Sequence, residues 1–249
     1  MFLFLSKSES ESDQLAKPTL ETLTSIYCTT VGRDKTWKFV QNFSRFLFYI
    51  LTTISGNKRA LIIAEIFRNL WKNLSNVRKG FRLGKSITHA NKFRITYLNP
   101  KRTRLYKGIN CFKRSILFFH EFFDNLFWFS KFIVPNTKNS KIYKQYAYLT
   151  KGMGEGVGLC LHYTELQRIN ALSTQADVDH DDLSKQRAKL LRGATKSTCD
   201  VIGVFFNAGF SLKFGLEKND GVLGLLGCLS AVMTLIEKYP REKTKKKLK

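Results

Sequence analysis

Acidic residues are scarce in this chain of 249 residues: 19 Asp and Glu stand against 42 Lys and Arg, a formal net charge of +23. A surplus of that size selects a polyanionic partner, either nucleic acid or the anionic face of a membrane. Proline (4) and glycine (16) are too few for a collagen-like or low-complexity chain. Cysteine is sparse and scattered, at Cys28, Cys111, Cys160, Cys199 and Cys228, with no Cys-x-x-Cys. That pattern argues against a disulfide framework and a zinc site, and for a reducing compartment. No apolar-polar alternation persists anywhere, so strands are not expected. With four His and no nucleophile motif, nothing assembles a catalytic site; the reading is a non-enzyme without cofactor or metal. What the chain does have is apolar bulk, 43% hydrophobic with 21 Phe, enough for one ordinary domain or a domain plus a membrane-embedded part.

The apolar start MFLFL gives way at once to a polar stretch, too short for a secretory signal and without its basic lead. The second residue is not glycine and the end is Lys-Leu-Lys, so neither myristoylation nor a C-terminal peroxisomal tripeptide is expected. Residues 1–17 read as a polar tail in which Ser8, Ser10 and Ser12 alternate with acids, a candidate phosphorylation cluster or simply a solvated terminus.

Helical periodicity dominates the rest, and the expected fold class is all-α. Residues 18–150 form an N-terminal amphipathic region. After Pro18 the apolar Leu20, Leu23, Ile26 and Tyr27 suggest a short helix. A second opens at Gly32, Arg33, Asp34 and Lys35, with Trp37, Val40, Phe43, Leu47, Ile50 and Leu51 recurring at three and four. Farther on, Ile63, Ile66, Phe67, Leu70, Leu74, Val77, Phe81 and Gly84 fall on one stripe, with Arg68, Lys72, Arg78, Lys79 and Arg82 beside or opposite it. From Lys58 to Ser115 there are sixteen basic residues and one acid, Glu65. An aromatic helix is expected to run to Val134, before Pro135. Residues 151–237 read as C-terminal membrane-associated helices around an acidic loop at 171–187, with helices expected at 190–216 and in the apolar run Gly221–Ile236.

That last run has sixteen uncharged residues, about 24 Å as a helix against the roughly 30 Å of a bilayer core, short but spanning or deeply embedded. Gly221, Gly224, Gly227 and Ala231 would give it a close-packing face, either between copies of the chain or within one. The basic tail at 238–249 makes the cytosolic side its expected location.

Three apparent sites dissolve on inspection. His120-Glu121-x-x-Asp124 lacks the second histidine of a zinc-protease helix. Asp177-x-Asp179-x-Asp181 has Asp182 and Ala188 where a calcium loop needs Gly and Glu. Gly152, Gly154, Gly156 and Gly158 follow no strand, so they suit helix contact better than a dinucleotide.

Five blocks resemble one family. GRDKTWKFVQNFSRFL is similar to the N-terminal signature of the peroxisomal membrane-elongating family, peroxin eleven, with Gly32, Arg33, Asp34 and Lys35 at its head. LSNVRKGFRLGK resembles that family's basic amphipathic segment and DNLFWFSK its aromatic block. RGATKSTCDV and GVLGLLGCLSAVMTLIEKYP resemble its two C-terminal blocks, in the same order. The resemblance runs from about residue 20 to 240 and departs from the family in the short acidic linker and the lysine tail. It implies a protein of the peroxisomal membrane, or of a specialised peroxisome such as a glycosome. Such a protein elongates the membrane before fission, self-associates as a homo-oligomer and cooperates with a dynamin-related GTPase and its adaptors.

Residue chemistry supports the membrane part independently. The apolar stripe would enter one leaflet as a wedge, while Arg68, Lys72, Arg78, Lys79, Arg82 and Lys85 hold anionic headgroups. Two alternatives stand beside it: a membrane channel for small metabolites, and a basic nucleic-acid-binding helical protein. The second lacks a zinc finger, RNP aromatics or a helix-turn-helix, and nucleic acid is not an expected partner.

Overall fold

The computed structural model describes Thr24 and residues 27–54, 57–99, 103–134, 139–173 and 180–238. The described residues form α1 (Thr30–Ile54), α2 (Lys58–Gly80), α3 (Lys85–Leu98), α4 (Arg104–Phe132), α5 (Ser140–Leu172), α6 (His180–Asn207) and α7 (Asp220–Lys238), with a 3-10 turn at Phe210–Phe214 and no strand. Side chains from the preceding residue cap several of these. Asn57 accepts from the Arg59 amide, Thr103 from Tyr106, and Asn219 from Val222, which satisfies donors that an α-helix leaves unpaired in its first turn.

Packing makes a ring. Each helix from α3 to α6 lies against the next one in the chain, α2 lies against α1, and α1 packs along α7. The circle closes where α2 meets α4 in a narrow contact, leaving α3 packed on α4. Two joins are therefore non-local, α1 with α7 and α2 with α4. At the first, a Cβ on Gly224 would stand 2.8 Å from the Phe46 nitrogen and 2.9 Å from the Asn42 carbonyl, so only glycine lets the backbones approach this closely.

The distribution of polarity inside the ring is unusual. Lys38, Asn42, Arg45, His120, Glu121, Asp124, Asp200 and Ser230 are all buried, while Leu61, Ile62, Ile66, Ile87, Phe112, Phe119, Phe129, Tyr163 and Leu225 are exposed. Burial of so many ionisable groups is tolerated only where they pair with one another, and so much bare apolar surface marks an interaction or membrane face. Among the described residues, α7 (Asp220–Glu237) is the one helix long and apolar enough to cross a membrane.

Three expectations need correction. The stripe over 63–84 is not one helix: α2 ends at Gly80, Phe81 caps it, and Gly84 turns the chain at φ 76° into α3. Of the acidic loop expected at 171–187, the described residues 171–172 and 180–187 are helical: α5 runs to Leu172 and α6 begins at His180, with Asp181 and Asp182 favourably placed in its first turn. The helix expected at 190–216 stops at Asn207 and gives way to the 3-10 turn. The serine cluster at 8–12, Leu20, Leu23 and Ile26, the run Asp177–Asp179 and the 239–249 tail lie outside the described residues.

Candidate functional site

The first polar network ties α1 to α6 and α7. Spaced at about one turn along α1, Asp34, Lys38, Asn42 and Arg45 share one face, which points into the ring. The Lys38 ammonium donates to Asp200 at 2.8 Å and to Ser230 at 2.6 Å, and the Ser230 hydroxyl donates to Asp200 at 3.0 Å. Burial pulls the Lys38 ammonium down to about 8, against the opposing pull of Asp200. One turn on, Asn42 donates to the Lys38 carbonyl. Arg45 reaches Asp220 at the head of α7 at 2.5 Å and lies 4.7 Å over the Trp71 ring.

The second network closes the α2/α4 seam. Arg78 donates to Asp34 at 3.1 Å and to Gln41 at 2.5 Å. Burial alone would raise the Asp34 carboxyl, but the Arg78 guanidinium and its basic neighbours hold it well below the usual range. Lys79 lies 3.6 Å from Asp124 and 3.8 Å over the Phe127 ring, and Arg82 meets Asp124 at 3.0 Å. Lys85, opening α3, pairs with Glu121 at 2.8 Å. His120 donates from Nδ1 to the Ala147 carbonyl at 2.8 Å, and burial holds its imidazole down at about 4, so it is neutral at pH 7.

Between the networks lies an open chamber of about 1410 Å³, lined by seventeen Lys and Arg against six Asp and Glu. Among the described residues no group of three His, Cys, Asp or Glu could hold a metal ion.

The residues singled out from sequence separate into two sets. Ile63, Ile66, Leu70 and Val77 are exposed on α2, Phe67 and Phe81 are half-buried, and Leu74 is buried, so the stripe is an open face only in part. Arg68 and Lys72 stand at the surface, Arg68 paired with Glu65. Arg78, Lys79, Arg82 and Lys85 are not available to headgroups here, because each is held by Asp34, Asp124 or Glu121. Of the N-terminal motif, Gly32 is buried, Asp34 takes Arg78, Lys35 lies 3.4 Å from Asp34, and Arg33 lies over Phe81. The glycine face of α7 is occupied within the chain: Gly221 abuts Tyr49, Gly224 the α1 backbone and Gly227 the Asn42 side chain, with Ala231 fully buried. That face cannot also receive a second copy of the chain. Gly154 and Gly158 likewise pack inside, against Leu117 and Lys113.

Sequence reasoning missed Lys38, Asn42, Arg45, Asp200 and Ser230. The signal available was the polar spacing of Asp34, Lys38, Asn42 and Arg45 along α1.

A closed helical ring, apolar outside and charged within, with one helix able to cross a bilayer, defines an all-α membrane-associated protein. Residues 20–238 match the family Peroxisomal biogenesis factor 11, and the chain belongs to that family. Membership implies a peroxisomal membrane protein acting in peroxisome proliferation, within a family of biogenesis factors and not of enzymes. No curated protein and no solved structure matches the chain. All five blocks that carry the family resemblance supply residues to the ring's interior: Asp34 and Lys38, Arg78 and Arg82, Asp124, Asp200, and Ser230.

Proposed function

We propose that the protein elongates the peroxisomal membrane ahead of fission by inserting the outer half of α2 into one leaflet. The supporting observation is the uncovered apolar face Leu61, Ile62, Ile63, Ile66 and Leu70, flanked by the surface cations Lys58, Arg59, Arg68 and Lys72. An exposed patch of this composition gains free energy by entering the headgroup-acyl boundary, and expanding one leaflet bends the bilayer toward that side. Anionic lipid is the partner, α7 is the anchor, and the basic tail stays on the cytosolic side. Self-association and recruitment of a dynamin-related GTPase belong to the same reading; a second copy would meet surfaces other than the α7 glycine face.

Full-length protein added to anionic vesicles is expected to draw tubules, and Ile63→Glu with Ile66→Glu to abolish them while the helical fold persists. Leu74 is unsuitable for this test because its loss would damage packing. Tubulation by the double variant equal to the parent's would overturn the wedge. For sidedness, protease added to intact organelles is expected to remove a C-terminal tag, and complete protection of the tag would reverse the orientation.

A second reading, passage of small polar solutes, is favoured by the charged chamber inside an apolar exterior. Solute efflux from sealed proteoliposomes without tubulation would support it over the wedge.

A further inference from the structure

The chamber's carboxylates are unevenly distributed. Asp34, Glu121 and Asp200 are matched by Arg78, Lys85 and Lys38, as Asp124 is by Arg82. Toward the end formed by α3, α4, α5 and α6 the balance fails. Lys92, Lys113, Arg114, Lys189 and Lys196 line the chamber there against three carboxylates: Glu155, which accepts from the Ser197 hydroxyl at 2.9 Å, Glu165, which pairs with Arg168 at 2.8 Å, and Glu237.

The Lys113 side chain reaches across to α5, where its ammonium would lie 2.6 Å from a Cβ on Gly158. Beside Arg114, His89 is only 8% exposed, yet its Nδ1 has no hydrogen-bond partner, and neither has the buried Nε of Arg114. Buried donors and acceptors without partners are rare in folded proteins, and a polar atom facing a charged chamber can be satisfied by a bound water or ion. Burial pushes the Lys113 ammonium down; Glu155 opposes the shift, and Arg114 and Lys196 reinforce it.

We propose that His89, Lys113, Arg114 and Lys196 form a binding site for a phosphate group carrying two or more negative charges. Arg114 can offer a phosphate two parallel N–H donors, while Lys113 and Lys196 supply compact charge. A neutral His89 with its proton on Nδ1 donates a further bond without adding charge. The site stands apart from both readings above, because it requires neither leaflet insertion nor flux.

The test uses the full chain in uncharged detergent, titrated calorimetrically with inorganic pyrophosphate at constant ionic strength, with chloride as the matched control. Saturable binding of one pyrophosphate is expected, weakened about tenfold or more by Lys113→Gln or Lys196→Gln and partly restored by Lys113→Arg. A second arm adds micelles containing phosphatidate or phosphatidylcholine. Displacement of pyrophosphate by phosphatidate alone identifies a lipid headgroup as the source of the phosphate, and no displacement identifies a soluble one. Absence of saturation, or variants that bind like the parent, would overturn the site. Should the lysine variants fail to fold, the imidazole NMR signal of His89 in the unaltered chain decides. It is expected to move on saturation, and a signal unchanged at saturating pyrophosphate would refute the proposal.

Discussion

The two helices that close the ring do so with opposite chemistry. At α7 the closure is steric: glycines bring its backbone against α1, and Ser230 adds its hydroxyl to the pair of Lys38 and Asp200. At α2 the closure is ionic: Lys79 and Arg82 reach across to Asp124, while most of the apolar stripe remains outside. Each helix thus keeps apolar surface open, Val222 and Leu225 on α7 and Ile62 and Ile66 on α2, and what differs is the side that is sealed: small residues on α7, paired charges on α2.

Four measurements press on this contrast. Gly224→Leu is expected to have the largest effect. The side chain has no room against backbone, and the α1/α7 join should lose about 3 kcal/mol in thermal or denaturant unfolding. Asp124→Ala comes next, at about 2 kcal/mol, below the usual cost of stranding a buried cation because Lys79 and Arg82 keep some contact with water. Hydrogen exchange should localise that loss to α2 and leave α7 protected. Equal loosening of both helices would show that the ring does not open at the seam.

Acidification is expected to destabilise the fold as well. The His120 imidazole titrates at about 4 in the fold, below its ordinary value of 6.5, so between those limits the unfolded chain binds more protons. Stability should fall as pH drops from about 6.5 to about 4, and the fall should shrink in His120→Gln without vanishing, because burial holds His89 at about 4 too. Asp34, held low by Arg78, adds its own loss only at more acid pH, below the ordinary carboxylate value. Smallest of all, Ile63→Ala with Ile66→Ala should change stability by no more than about 0.5 kcal/mol per residue, since neither side chain is packed. A larger loss would mean that the α2 face is covered within the protein.

The helices themselves were legible because their apolar residues recur at three and four, and α7 because its run is uninterrupted by charge. Direction was not legible. Periodicity shows that Asp34, Lys38 and Arg45 share a face but carries no sign of whether it points in or out. The partners of that face were hidden too, since Lys38 and Asp200 stand 162 positions apart and no local spacing links them. The end of α2 at Gly80 was missed because the apolar stripe runs past it to Phe81 and Gly84, whereas the turn depends on the backbone freedom of Gly84 alone.

Chain order gives the α1/α7 join a consequence for biosynthesis. Arg45 is made 175 residues before its partner Asp220, which at the pace of a ribosome is a delay of about 10–30 s. Throughout that interval the nascent α1 carries Lys38 and Arg45 without the carboxylates that later bury them, and hydration is their cheapest state. A ribosome-bound chain truncated before residue 220 should therefore leave α1 open to protease, and the complete chain should protect it.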